Sequence, residues 1–96
     1  MNEEQMNLNM YLFIDVKNGA QMYVGCRIIA GADVNARNDD GYTPLIVAIQ
    51  LGYRHIVKEL LKHGADIYAS DNNGKNALDW ALYTGHKKII NLLTRK

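Results

Sequence analysis

The sequence contains a single cysteine, a single proline and no long apolar run. Cys26 has no second cysteine to pair with, so an internal disulfide and a thiolate zinc site are both excluded, which favours a reducing compartment. Acidic Glu3 and Glu4 stand where a secretory signal would be basic, and the apolar run 11–14 is too short to span a membrane. We therefore expect a soluble cytoplasmic protein, or a nuclear one in a eukaryote, with no membrane partner.

Neither sign of charge predominates over the whole chain. Eleven basic and ten acidic side chains give a net charge of +1, which provides no general attraction to polyanions and disfavours a nucleic-acid partner. The two halves differ, however: residues 1–48 carry three basic and six acidic side chains (−3), and residues 49–96 carry eight and four (+4). This dipole could steer a charged partner or support weak self-association of a chain that we expect to be monomeric.

Residue patterns for catalysis, metal binding or nucleotide binding are missing too. His55, His63 and His86 follow no His-Glu-x-x-His spacing, and no Gly-x-Gly-x-x-Gly or phosphate loop occurs. Asp39 and Asp40 are neighbours in a predicted turn and cannot form a positioned acid and base pair. The sequence thus predicts no cofactor, no metal, no catalytic residue and no enzyme.

What the sequence does contain is a repeat. With a shift of 33 positions, Gly41 aligns with Gly74, Leu45 with Leu78, and Ala48 with Ala81, while 64–66 and 31–33 both read Gly-Ala-Asp. A fixed period of this size indicates stacked repeats. With Thr43-Pro44-Leu45 opening a helix and Gly-Ala-Asp closing the unit, the sequence resembles the ankyrin repeat family over about residues 10 to 96.

The resemblance implies an all-α ankyrin repeat solenoid of stacked antiparallel helix pairs with β-turn or hairpin finger loops. We expect a flexible segment at 1–9, with the first helix beginning near Met10, and a single domain at 10–96. Its repeats are an N-terminal cap at about 10–37, one full internal repeat at 38–70, and a C-terminal cap at 71–96. Asn76 replaces the capping Thr43, and we expect it to start its helix equally well.

The first repeat departs from this pattern at three positions. Arg27 aligns with Leu60, Ile29 with Lys62, and Asp15 with Ala48. A rotated outer helix would let Ile28 and Ile29 pack while Arg27 reaches outward, as suits a terminal repeat. The alternative is a partner-binding patch at Ile29. Asp15 is expected on an exposed face.

Ankyrin-like proteins generally act as recognition scaffolds, so the resemblance implies an adaptor, scaffold or inhibitor that binds an unidentified protein partner. The contact surface would be the fingers and the concave face of the inner helices. The predicted partner-binding residues are Asp39, Asp40, Tyr42, Ile46, Gln50, Asn72, Asn73, Lys75, Asp79 and Tyr83.

Among these, Tyr42 and Tyr83 are the expected anchors. Ile46 could form a small apolar spot with Tyr42, and the alternative is that it packs between repeats. Trp80, which aligns with Val47, is expected in the core, with an interface anchor as the alternative. Two alternatives stay open: a nucleic-acid accessory that uses the basic second half, and a terminal fragment of a larger ankyrin-containing protein.

Overall fold

Six helices account for the regular structure of the computed structural model, which describes residues 3–95. They are α1 (Glu3–Lys17), α2 (Gln21–Ile29), α3 (Pro44–Leu51), α4 (Arg54–Lys62), α5 (Ala77–Thr84) and α6 (Lys87–Thr94). No strand occurs between residues 3 and 95. The all-α prediction is confirmed.

The helices form three antiparallel pairs that stack side by side. Within pairs, α1 packs on α2, α3 on α4, and α5 on α6; between pairs, α1, α3 and α5 form an inner row, and α2, α4 and α6 an outer row. A continuous apolar core runs through the stack, with Leu12, Leu45, Leu60 and Ile89 almost completely buried. No pair could bury its apolar face alone, so each depends on its neighbour.

Helix starts and stops follow the chemistry that the sequence predicts. The Thr43 hydroxyl accepts a hydrogen bond from Ile46 N (3.2 Å), and Pro44 occupies the first turn of α3. Asn76 caps α5 by accepting from Asp79 N, while the Asp79 carboxylate accepts from Asn76 N, both at 3.0 Å. Asn76 therefore replaces threonine without loss, through a complete capping box.

The start of α1 is the first correction. It begins at Glu3, seven residues before Met10, so residues 3–9 are helical; residues 1 and 2 lie outside the described part. Leu8 packs against the core, and the Asn9 side chain accepts a hydrogen bond from Asp33 N (2.7 Å). These two tertiary contacts stabilise a helical start that the polar local sequence does not indicate.

The first helix pair gives two more corrections. Asp15 is not exposed: it is only 8% accessible, and its Oδ2 lies 2.8 Å from Arg27 Nε. The Arg27 guanidinium also lies over the Tyr11 ring, 4.9 Å from its centroid. Hydrogen bonding to Asp15 raises the pKa of Arg27 further above its ordinary value. Ile28 packs against the core as expected, but Ile29 is 79% exposed, so the predicted packing of Ile29 is wrong.

Candidate functional site

Two short loops precede α3 and α5 and share one turn geometry. In finger 1 (residues 38–42), the Asn38 side chain accepts from Asp40 N and Tyr42 N, both at 3.0 Å. In finger 2 (residues 71–75), Asp71 Oδ1 accepts from Asn73 N and Lys75 N at 2.9 and 3.0 Å. Asn and Asp side chains stabilise such turns because they bond backbone groups two to four residues further on.

The fingers are also joined to one another. Asn72 N donates to Asp40 O (3.3 Å), and Asn72 Nδ2 donates to Asp39 O (3.1 Å). Gly41 makes this approach possible: its φ is +78°, and a Cβ there would lie 2.8 Å from Asn72 N. The two finger tips therefore form one continuous surface.

Asp71 has a second acceptor oxygen, which it uses to fix Trp80. Its Oδ2 accepts from Trp80 Nε1 at 2.9 Å, and the carboxylate is only 5% exposed. Burial by itself raises the pKa of Asp71, but the hydrogen bonds from Lys75 N, the Trp80 indole and Asn73 N outweigh it and hold that pKa below its ordinary value of 3.8. The anionic carboxylate thus couples the finger to the indole of α5.

Trp80 is the centre of an aromatic cluster, which we call the aromatic row: Tyr42, Trp80 and Tyr83. The Trp80 ring meets Tyr42 edge to face with centroids 5.9 Å apart, and meets Tyr83 in the same way at 5.8 Å. Lys75 Nζ lies 5.7 Å from the ring centroids of both Trp80 and Tyr83. Edge-to-face contacts of this kind fix ring orientation and add to the stability gained from burial.

Exposure differs along the row. Tyr42 and Trp80 are half-buried, while Tyr83 is 77% exposed. The structure thus brings together three of the predicted residues, Tyr42, Lys75 and Tyr83, around a tryptophan. They form a rigid, partly apolar surface beside the finger tips.

The other predicted residues fall into separate groups. Four of them, Asp39, Asp40, Asn72 and Asn73, are exposed at the joined finger tips. Gln50 is on α3, aligns with Tyr83 of α5, and is half-buried. Asp79 is exposed, but its carboxylate belongs to the capping box of α5.

Ile46 is the contradicted site residue. It is fully buried, so the predicted apolar spot formed with Tyr42 does not exist on the surface. It lies in the first turn of α3, a helix that packs against α1 as well as α5. Ile46 contributes to the core rather than to recognition.

Trp80 is the site residue that sequence reasoning missed. It packs against the core, as expected, but it also carries the aromatic row. The signal was present in the sequence as a paired change: Asn38 and Val47 of the middle repeat correspond to Asp71 and Trp80 of the next. An acid that appears together with an indole donor, nine positions apart, indicates a hydrogen bond between them.

Two classes of site find no support in the described residues. Between residues 3 and 95, no group of three or more His, Cys, Asp or Glu side chains could hold a metal ion. No helix in that range is long and apolar enough to cross a membrane.

The sequence model described as Ankyrin repeats (3 copies) matches residues 12–96. That range begins within α1 and covers the five later helices, both fingers and the aromatic row. No curated protein matches the chain.

Proposed function

Because the chain belongs to the ankyrin repeat family, whose members are in general non-catalytic protein–protein interaction modules, we propose that it is an adaptor, scaffold or inhibitor without enzymatic activity of its own. In this proposal the partner is a protein that contacts the aromatic row and the finger tips. The observation that carries the proposal is Tyr83, whose ring is 77% exposed yet held in an edge-to-face contact by Trp80.

Pre-organisation is the physical reason to expect binding there. A tyrosine in a free surface position loses rotamer freedom when a partner orders it, and that loss subtracts from affinity. Tyr83 is already in contact with Trp80, which Asp71 fixes in turn. A partner that packs on the row therefore gains contact area at a small entropic cost.

The finger tips supply polar groups around this apolar surface. Asp39, Asp40, Asn72 and Asn73 are exposed, and Lys75 adds a positive charge at the edge of the row. An apolar centre with a polar rim is the usual composition of a specific protein interface. Tyr83 and Trp80 are accordingly the expected centre of binding energy.

Co-purification from source cells tests this proposal when wild type is compared with Tyr83→Ala. We expect the variant to retain less than a tenth of the partner that wild type recovers, since truncating an interfacial anchor costs about 2 kcal/mol or more. Thermal unfolding should change little, because Tyr83 lies mainly in solvent.

Tyr68 provides a matched control, since it is 78% exposed and has no ring contact with another aromatic residue in the described part of the chain. Tyr68→Ala should recover the partner as wild type does. Equal recovery with Tyr83→Ala and with Tyr68→Ala would show that the aromatic row is not the binding surface.

A further inference from the structure

A groove of about 550 Å³ lies at the opposite end of the helix pairs from the fingers. We call it the basic groove and define it by these lining residues: Gly19, Gly52, Arg54, His86, Lys87 and Lys88. Finger 1 precedes α3 and Gly52 follows it, so the eight residues of α3 separate the groove from finger 1 by about 12 Å. None of the aromatic-row residues lines it, although Tyr83 in the last turn of α5 is only three residues before His86.

The groove concentrates positive charge without compensation. Arg54, Lys87 and Lys88 line it, and none of its lining residues is acidic. The ion pairs in the described part of the chain are Arg27 with Asp15 and His63 with Glu59, so none of the three cations is paired. Since the whole chain has a net charge of only +1, this is a local feature rather than a general excess of charge.

Helix polarity adds to that charge. The N-termini of α4 and α6 meet at the groove, and their N-cap residues Tyr53 and His86 make no side-chain capping bond. At the finger end, by contrast, α3 and α5 are both capped, by Thr43 and Asn76. A helix N-terminus carries partial positive charge and favours an anion. The side chains of Arg54, Lys87 and Lys88 in the first turns are positive as well, so they are repelled by that partial charge. A bound anion would neutralise both.

Three rings line the groove, those of Tyr53, His55 and His86. A Cβ at Gly52 would lie 2.8 Å from the imidazole Nε2 of His86, and a Cβ at Gly19 would lie 3.4 Å from the Tyr53 ring. Tyr53 and His86 therefore each have one side against backbone, and the exposed His55 ring is a single stacking face rather than a row of them. Recognition of single-stranded nucleic acid relies on exposed aromatic faces along an extended basic track, so the short groove fits an isolated anionic group better.

We infer that the basic groove binds the phosphate group of a phosphorylated side chain in a protein partner. A phosphate monoester carries nearly two negative charges and three strong acceptor oxygens. Arg54 Nη2 lies 3.4 Å from His55 Nε2, and the other N–H groups of the guanidinium can donate to the phosphate, while the Lys87 and Lys88 ammonium groups add point charges. This inference does not depend on the aromatic row, because no residue of that row lines the groove.

Titration of the full chain with a phosphoserine-containing Gly-Ser peptide, followed by amide NMR, tests the inference. We expect saturable shifts for the first-turn amides of α4 and α6. The variant Arg54→Gln/Lys87→Gln/Lys88→Gln should bind at least tenfold more weakly. The peptide offers no side chain that would pack on the aromatic row, so a failure of this titration and a failure of the co-purification with Tyr83→Ala are separate results.

A control variant removes two positive charges outside the groove, against three in the groove variant. Lys58 and Lys62 are exposed on α4 and do not line the groove, so Lys58→Gln/Lys62→Gln should retain at least half of the wild-type affinity. If that variant loses as much affinity as the groove variant does, the peptide is attracted by the overall positive charge of the surface and not by the groove. That result would overturn the inference.

Three further probes define what else would contradict it. The unphosphorylated Gly-Ser peptide should give no saturable shift. Equal affinity for a peptide with glutamate in place of phosphoserine would indicate an acidic-segment site, and tighter binding of oligouridylate would indicate a nucleic-acid site. Either result, or a lack of saturable shifts with the phosphopeptide, overturns the assignment.

Discussion

The middle helix pair and the pairs on either side of it use equivalent positions for different interactions. Ala48 and Leu60 of the middle pair are both fully buried, whereas Asp15 and Arg27 at the same positions of the first pair form an ion pair. The cause is position in the stack, because α3 and α4 have a helix pair on both sides, while α1 and α2 have one on one side only. A half-exposed arginine can remain partly hydrated there, and its carboxylate partner is satisfied.

The third repeat also differs from the middle one by a pair of substitutions that interact with each other. Asn38 and Val47 become Asp71 and Trp80, and the new acid accepts a hydrogen bond from the new indole. In both end repeats the exchange involves two residues that compensate one another. In each end repeat, a polar or charged side chain at a position that is apolar in the middle repeat thus has a hydrogen-bond partner, and no buried polar side-chain group in the described part of the chain is left unsatisfied.

The largest effect is expected from Leu60→Ala. Leu60 is completely buried in the middle pair, and truncating a buried leucine removes burial and leaves a cavity, so the free energy of unfolding should fall by about 2–5 kcal/mol. Urea denaturation measures the change. Arg27→Ala alters the equivalent, partly exposed position of the first pair. If Leu60→Ala destabilises the chain no more than Arg27→Ala does, the middle pair does not depend more on burial than the first pair.

Arg27→Leu should have the next largest effect. It leaves the Asp15 carboxylate, in a side chain that is only 11% exposed, without the donor that now lies 2.8 Å away. The double variant Asp15→Ala/Arg27→Leu recreates the Ala48 and Leu60 combination and should be more stable than Arg27→Leu alone. Thermal midpoints of wild type, Asp15→Ala, Arg27→Leu and the double variant measure the coupling between the two positions. Additive effects of the two single substitutions would mean that the two residues do not compensate one another.

Asp71→Asn should have the smallest effect, a loss of about 1 kcal/mol at pH 7, because the amide oxygen can still accept from the backbone of finger 2 but its NH2 group cannot accept from the Trp80 indole. The pKa of Asp71 is lowered in the folded chain, so its contribution is present above the ordinary value of 3.8 and is lost as the pH falls through the lower folded pKa. The stability difference between wild type and Asp71→Asn should therefore shrink on acidification. Asn38→Ala in finger 1 serves as the comparison, since Asn38 does not titrate.

The sequence predicted the repeat period, the helical caps at Thr43 and Asn76 and the turns of both fingers because these depend on neighbouring residues. It left Ile46 open between a surface spot with Tyr42 and packing between repeats, and the structure buries Ile46 completely. It also began the first helix at Met10, because the partners of Leu8 and Asn9 lie more than twenty residues away. The predicted partner-binding role of the exposed residues stays a prediction.

The sequence by itself determined the fold and the positions of the fingers. Each repeat carries its own start, stop and turn residues, so local chemistry is enough to define the helix pairs and their order. Only the tertiary structure decided which side chains meet across repeats. Asp15 with Arg27, Trp80 with Tyr42 and Tyr83, and the basic groove from Gly19 to Lys88 all combine residues from different helices. Such contacts are set by packing geometry, which residue spacing along one chain does not contain.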